Sequence, residues 1–393
     1  MRIKLRDLVI LPLLAVVTPA LLLKSTDLAL QKKYTTSASH LGQCLDYAHA
    51  TAGIPGIPNC ATNDKLYETP FIQYRFNACG MNSIVGCKAS DTGNYTIALL
   101  GSSVPFGQWV QFQNSIASQL GTDLSQITQQ NIQVANYSRM EEIPPMAERL
   151  LPQVLKKNPA LIVLAISPYD IGVSSADPDS AMRIAQMSRA NRFDWWLDYL
   201  ATILTRSTPS ELADIFETHL KNRIEGTRFA TLLLTYRYSD NRQYVHQYLQ
   251  GQDSEIGYLP THPSEAWKES YQAFNQSIAQ MSVLTRTAGI PFVVVLLPTR
   301  AQEVMLNSGS WPPGYDPYLI DQKVKSIVTS HGGIYLDIFP ECARITGLEK
   351  HYFIQNAHPD GFAHTVFARL IAEQLTSGII PALRTQQPVG KEQ

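Results

Sequence analysis

The sequence predicts an α/β fold whose core is a flavodoxin-like, five-stranded parallel sheet. From residue 95 onward, short apolar runs alternate with helical segments, which is the βαβ pattern of a doubly wound sheet. Two runs, LIVLAI at 161–166 and PFVVVLL at 291–297, are almost entirely apolar, as is typical of central strands covered by helices on both faces. Hydrophobic residues make up 45% of the chain, so a large core is expected. The predicted strands are 96–100, 132–135, 161–166, 291–297 and 333–338.

Helices are predicted between these strands and after the last one. The alternation stops between about 171 and 262, where helical segments rich in aromatic residues are predicted instead of strands. We interpret this stretch as one long helical insertion within a domain that spans 93–380, followed by a tail at 381–393. The predicted helices are 109–120, 144–157, 264–288, 318–330 and 365–377, with 191–204, 210–223 and 228–249 in the insertion.

The amino terminus has the pattern of an export signal. Three basic residues precede an uncharged apolar run at 8–23, which Lys24 closes. No clean small-residue cleavage site follows the run, so a retained anchor at 1–24 is favoured over a cleaved signal. A buried helix of a cytoplasmic domain is the third interpretation. The prediction is a single-pass inner-membrane protein that faces the periplasm, or a periplasmic protein if the signal is cleaved.

Four of the five cysteines cluster before the first predicted strand of the sheet, and Cys342 stands alone far downstream. In an exported chain, such a cluster is typical of two disulfides. Three pairings are possible. The sequential pairing, Cys44–Cys60 and Cys79–Cys87, closes two short loops and is the one predicted here. Residues 25–92 are therefore interpreted as a disulfide-stapled extension that packs on the main domain.

The composition and the motifs exclude several function classes. A formal net charge of -1 without a basic stripe argues against a nucleic-acid partner. There is no glycine-rich loop that could cradle a phosphate, which argues against nucleotide binding. Neither a CxxC pair nor a Cys/His cluster with zinc-like spacing is present, so no metal and no cofactor are expected.

A candidate nucleophile follows the first predicted strand, where the sequence reads GSSVPFG at 101–107. A strand that ends in glycine and two serines before a helix places a hydroxyl at the carboxyl edge of the sheet, where ligands bind. A serine needs a base within hydrogen-bond reach to become a good nucleophile. Of the nine histidines, His358 is the best placed, because its loop at 354–361 lies between the last strand and the last helix.

These segments resemble the sequence blocks of the SGNH/GDSL hydrolase superfamily. GSSVPFG is similar to the first block, and NAHP at 356–359, followed by a helix, is similar to the last. VANYS at 134–138 falls at the second block and SPYD at 167–170 falls at the third. The resemblance covers roughly 94–378 without the insertion, and it implies the same doubly wound fold.

The resemblance assigns roles to individual residues. Ser103 would be the nucleophile, and His358 would be the base that activates it. The amide of Ser103, the amide of Ser138 and the residue Tyr169 would stabilise the oxyanion of the tetrahedral intermediate. Ser138 stands where the family has glycine, and Tyr169 stands where it has asparagine.

The acidic positions of the family pattern are also changed. Ser102 replaces the aspartate before the nucleophile, and Asn356 (or Gln355 in the other spacing) replaces the aspartate that orients the histidine. Asparagine performs this orienting role in papain-like enzymes. Alternatively, Asp337 at its strand end or Asp360 beside the histidine can supply a carboxylate.

The resemblance extends to membrane-anchored members that handle acyl groups on cell-envelope polysaccharides. It implies an O-acetyltransferase or acetylesterase that acts on a cell-envelope or exopolysaccharide through an acyl-serine intermediate, with a membrane acyltransferase as a candidate acetyl donor. Arg300 and Asp170 are candidate substrate-binding residues at the same edge. The alternative is a catalytically retired scaffold that binds polysaccharide or assists assembly, which Asn356 and Tyr169 favour.

Overall fold

The computed structural model describes residue 18 and residues 21–33, 40–46, 56–83, 95–140, 144–172, 227–354 and 356–384. The predicted helices at 191–204 and 210–223, most of the predicted anchor and most of the tail lie outside these ranges. Among the described residues, no helix has both the length and the apolar character that crossing a membrane requires.

The central sheet confirms the predicted fold class. Its five strands are all parallel and lie in the order β4-β3-β5-β6-β7, which is the order of a flavodoxin-like sheet. A separate antiparallel hairpin, β1–β2, lies in the amino-terminal extension. The strand bounds are β1 Ala61–Asp64, β2 Ile72–Arg75, β3 Tyr95–Gly101, β4 Ile132–Asn136, β5 Leu161–Ile166, β6 Phe292–Leu296 and β7 Ile334–Leu336.

Helices cover the sheet on both sides, because every residue of β5 is buried although successive side chains of a strand point to opposite faces. Short 3₁₀ turns lie at Leu30–Lys32, Leu41–Cys44, Phe112–Asn114, Leu348–Lys350 and Pro381–Leu383, and a π-helical turn spans Leu375–Ile379. Residues 21–29 are helical. The α-helices described after them are α1 Ser103–Phe106, α2 Ile116–Thr128, α3 Pro144–Leu155, α4 Pro168–Gly172, α5 Arg228–Arg237, α6 Asn241–Tyr248, α7 Asp253–Ile256, α8 Glu265–Thr287, α9 Arg300–Ser308, α10 Leu319–Ser330, α11 Phe339–Cys342 and α12 Gly361–Gln374.

Three helix starts differ from the sequence prediction by more than one residue, and at each of them a polar side chain caps the helix. The Ser115 hydroxyl accepts from the Ser118 amide, so α2 begins at 116 instead of 109. The Asp240 carboxylate accepts from the Gln243 amide and divides the predicted 228–249 helix into α5 and α6. Asp360 accepts from the amides of residues 362 and 363, so α12 begins at 361 instead of 365.

Residues 40–46 and 56–83 form the described part of the amino-terminal extension, called the extension below. The predicted Cys44–Cys60 disulfide is confirmed. Cys79 is also disulfide-bonded, and its predicted partner Cys87 lies outside the described residues. The extension has its own apolar cluster, which includes Phe106 of α1 and thereby joins the extension to the main domain. The remaining cysteine, Cys342, is a buried free thiol.

Candidate active site

Ser103 lies where strand β3 turns into helix α1, at the carboxyl edge of the sheet. Its position between β3 and the neighbouring β5 is the point where the strand order reverses, which is the usual ligand site of such sheets. The turn requires glycine at 101, because φ is +147° and a Cβ there would lie 2.0 Å from the carbonyl oxygen of Ala165. From β4, the Asn136 side chain donates to the carbonyl of Pro105 at 3.0 Å and holds α1 in place.

The structure brings Ser103 and His358 together. The Ser103 Oγ lies 2.8 Å from Nε2 of His358, which is hydrogen-bond distance for a nucleophile and its base. When the serine hydroxyl donates to Nε2, the single proton of the neutral ring is on Nδ1. That proton points at the backbone carbonyl of Asn356, 3.2 Å away. The imidazole is therefore held in the tautomer that a general base requires.

Burial lowers the pKa of His358, and the hydrogen bond to the Asn356 backbone partly opposes this shift. The ring is therefore neutral at pH 7 and able to accept a proton. The indole ring of Trp109 meets the imidazole edge-on, with ring centroids 4.7 Å apart, and limits how far the imidazole can rotate. Sequence analysis missed Trp109, because nothing in its sequence context places it beside a residue so far along the chain.

Asn356 contacts His358 through its backbone carbonyl, whereas its side chain stabilises the loop. Its Oδ1 accepts from the amide of His358 at 2.9 Å and closes a tight turn in which Ala357 has φ +56°. Its own amide and its Nδ2 both donate to Oε1 of Glu68, at 3.3 Å each. Glu68 lies in the extension, 288 residues away in sequence, and sequence analysis missed it for that reason.

The two other candidate carboxylates have different partners. Asp360 caps α12 with one oxygen and lies 3.1 Å from Nδ1 of His351 with the other. Asp337 pairs with Lys325 at 3.1 Å. Neither pairing involves the imidazole of His358, and Gln355 lies outside the described residues. The orienting acceptor in this structure is thus a peptide carbonyl.

A cavity of about 550 Å³ opens beside the serine and the histidine. Its size is in the range of sites that bind small molecules. Its wall is formed by the ends of β5 and β6, by helix α6 and by the histidine loop. The lining residues include Ser103, Tyr169, Asp170, Tyr248, Asn356 and His358.

Asp170 ties the ends of two strands together instead of presenting a free carboxylate. Its Oδ2 accepts from the Ser102 hydroxyl at 2.9 Å and from the amide and hydroxyl of Ser167 at 2.6 and 3.0 Å. Burial raises the pKa of Asp170 to about 6, and these hydrogen bonds oppose the shift. The contact also explains Ser102, since a hydroxyl next to the nucleophile can donate to this buried carboxylate where aspartate could not.

Tyr169 faces the cavity and belongs to a chain of hydroxyl groups. Its hydroxyl lies 2.7 Å from that of Tyr248, which lies 2.9 Å from that of Tyr258. Tyr258 in turn lies 2.8 Å from the Thr299 hydroxyl. Burial raises the pKa of Tyr169 to about 12, so this hydroxyl keeps its proton at neutral pH and can act as a donor.

Two further predicted site residues have other partners in the structure. The amide of Ser138 already donates to Oδ1 of Asn136 at 3.1 Å, and Ser138 is not part of the cavity wall. Arg300 is only 4% exposed. Its guanidinium stacks on the ring of Tyr244, 4.0 Å from the ring centroid, and donates to the Tyr238 carbonyl at 2.7 Å. Arg300 therefore supports the cavity wall from behind.

No protein-family model matches the chain, and no curated protein matches it. A lipase/acylhydrolase from Enterococcus faecalis is similar over 74% of this chain and 98% of its own, with 10% identity and a TM-score of 0.38. A catalytic mutant of an acetylxylan esterase from Geobacillus stearothermophilus is similar over 73% and 96%, with 9% identity and a TM-score of 0.40. Similarity this weak carries no argument about the site, whose assignment depends on the geometry described above.

Proposed function

We propose that the chain is a serine-dependent esterase or acyltransferase that handles acetyl groups on a cell-envelope or exopolysaccharide. The observation that carries the proposal is the 2.8 Å contact between Ser103 Oγ and His358 Nε2 at the mouth of a cavity. A retired scaffold has no need to keep a buried, neutral imidazole aligned on a serine hydroxyl, so the alternative function is not favoured.

The proposed reaction begins when His358 Nε2 takes the hydroxyl proton of Ser103 while Oγ attacks the carbonyl carbon of an acetyl ester. A bond forms between Oγ and the carbonyl carbon, and the carbonyl oxygen becomes an oxyanion. When the tetrahedral intermediate collapses, the ester bond to the leaving alcohol breaks and that alcohol receives the proton from His358. The acetyl group then passes from Ser103 to water in an esterase, or to a sugar hydroxyl in a transferase.

The oxyanion is proposed to bind the amide of Ser103 and the hydroxyl of Tyr169. Ser103 is the first residue of α1, where a backbone amide has no acceptor within the helix. The Tyr169 hydroxyl turns from its Tyr248 partner, 2.7 Å away, to donate to the oxyanion. For Ser138 to take part as predicted from the sequence, its amide would have to leave Asn136.

The substrate class is proposed from the cavity wall and from the amino terminus. Aromatic rings and hydroxyl groups of Tyr169, Tyr244 and Tyr248 in the wall suit the apolar faces and the hydroxyls of a sugar. The predicted anchor and disulfides favour a location beside the cell envelope. In the transferase case, a membrane acyltransferase would supply the acetyl group to Ser103.

The deciding experiment is covalent labelling by a fluorophosphonate, which reacts with activated serines and needs no sugar acceptor. We expect labelling of the wild type at Ser103 and none in Ser103→Ala, while Ser102→Ala stays labelled. Hydrolysis of p-nitrophenyl acetate should likewise be lost in Ser103→Ala and kept in the wild type and in Ser102→Ala. Equal labelling of the wild type and Ser103→Ala would refute the proposal, since the reactive group would then be another residue.

A further inference from the structure

We propose that the extension is part of the catalytic apparatus, and that Glu68 is a positioning residue that acts on His358 through Asn356. The inference depends on the proposed function and adds a residue and a module to it. Three sets of contacts connect the extension to the segments that carry the nucleophile and the base.

The first contact holds the base. Oε1 of Glu68 accepts from both the backbone amide and the Nδ2 of Asn356, at 3.3 Å each. Two donors on one carboxylate oxygen fix both the peptide plane and the side chain of Asn356. The carbonyl of the same residue accepts from Nδ1 of His358, and its Oδ1 accepts from the His358 amide. The direction of the imidazole is therefore set by an asparagine that Glu68 holds.

The second contact limits rotation of the imidazole. The phenol oxygen of Tyr74, on β2 of the extension, accepts from the amide of Trp109 at 2.7 Å. Trp109 has φ +59°, a conformation that a tryptophan adopts only when its surroundings hold it there. The indole ring then meets the ring of His358 edge-on. Tyr74 thus supports the imidazole indirectly, through Trp109.

The third contact holds the nucleophile. Phe106, three residues after Ser103, packs against Tyr74 and Phe76, with ring centroids 6.0 and 6.3 Å away. The Asn82 side chain donates to the carbonyl of Phe106 at 2.9 Å in a buried position. The helix that begins with Ser103 is therefore packed into the apolar cluster of the extension.

These contacts account for the missing orienting aspartate. A peptide carbonyl is a weaker acceptor than a carboxylate and carries no charge to stabilise the imidazolium that forms during attack. The carboxylate of Glu68, which accepts from Asn356, gives that carbonyl a fixed position. A displacement of about 1 Å at the reacting groups can cost about 10²-fold in rate, so loss of this support has a measurable effect.

The test compares Glu68→Ala and Glu68→Gln with a control, Glu265→Ala, whose exposed carboxylate pairs with Lys268 at the start of α8. We expect Glu68→Ala to lower kcat for p-nitrophenyl acetate, and the rate of fluorophosphonate labelling, by about 10- to 100-fold with KM little changed. Glu68→Gln should keep most of the activity, because its amide oxygen still accepts from Asn356. The control should match the wild type. Wild-type rates in Glu68→Ala would overturn the inference.

A second pair of variants separates positioning from general folding. Asn356→Asp alone places a carboxylate oxygen about where Nδ2 now lies, 3.3 Å from Glu68 Oε1, so like charges repel and activity falls. Combining it with Glu68→Gln restores a donor and an acceptor with reversed roles. Recovery of labelling in the double variant supports a direct contact between the side chains of residues 68 and 356. A loss in the double variant equal to the sum of the two single losses contradicts it.

Hydrogen exchange provides a readout that does not require activity. In Glu68→Ala, amides of 353–360 should exchange faster while those of α10 stay unchanged, and unchanged exchange at 353–360 overturns the inference. If the wild type is not labelled at Ser103, the proposed function fails, and the exchange measurement still decides whether Glu68 holds the loop. The two failures are therefore distinguishable.

Discussion

Tyr169→Phe tests whether the tyrosine hydroxyl stabilises the oxyanion, because the structure separates its catalytic cost from its structural cost. The substitution removes one oxygen, which contacts the Tyr248 hydroxyl at 2.7 Å. Tyr248 keeps the Tyr258 hydroxyl at 2.9 Å and the Glu255 carbonyl at 3.0 Å as partners. Since no buried group loses its last partner, unfolding should become easier by only about 1 kcal/mol.

The catalytic cost should be larger. Removing one oxyanion donor typically lowers kcat by about 10² to 10³, or about 2.7 to 4 kcal/mol of transition-state stabilisation. The assay is p-nitrophenyl acetate hydrolysis with kcat and KM measured separately, and we expect the loss in kcat because the donor acts mainly on the transition state. Tyr258→Phe is the control, because it removes a hydroxyl from the same chain at a fully buried residue that does not line the cavity. The reasoning is refuted if Tyr169→Phe keeps kcat within about threefold of the wild type, far less than an oxyanion donor supplies.

Three further predictions test the supporting structure. Replacing Cys44 and Cys60 by serine opens a loop with a sequence separation of 16 and should lower the stability of the extension by about 3 kcal/mol, measured by urea unfolding; an unchanged midpoint contradicts this. Gly101→Ala puts a Cβ 2.0 Å from the Ala165 carbonyl, so both the melting temperature and fluorophosphonate labelling should fall, and a fully labelled, stable variant would contradict the strain. Burial raises the pKa of Glu303 to about 8, whereas in the unfolded chain this carboxyl ionises at its ordinary value of 4.5. The folded state should therefore lose stability relative to the unfolded state as pH rises from 4.5 to about 8. The stability of Glu303→Gln relative to the wild type should rise by about 1.4 kcal/mol per pH unit across that window, measured by denaturation at several pH values; a constant difference would show that Glu303 ionises normally.

Strand positions were predictable from the sequence, because a buried parallel strand needs an unbroken apolar run that few other elements use. All five predicted strands of the sheet are present, with ends that shift by one or two residues. Helix starts were less predictable. The start of α2 depends on which of several polar side chains caps it, and the break between α5 and α6 depends on Asp240.

The contact between Ser103 and His358 was predictable for a similar reason. Ser103 and His358 each follow a strand of a parallel sheet, and the carboxyl ends of such strands meet at one edge. The partners of Arg300 and Asp170, the two candidate substrate-binding residues, were less predictable. Both lie at that edge, but whether a charged side chain faces the cavity or the wall behind it depends on packing against residues such as Tyr244 and Ser167.

The sequence by itself predicted the class of fold from local pattern and strand order, and it predicted the Cys44–Cys60 disulfide as one of three possible pairings. It also predicted the serine and histidine that meet at the sheet edge, from their positions after strands and from the resemblance to a known family. Only the tertiary structure showed what orients the histidine. The acceptor is the backbone carbonyl of Asn356, and a backbone carbonyl has no sequence signature. Glu68 is connected to the site across 288 residues by the packing of the extension, a long-range contact that no local pattern encodes.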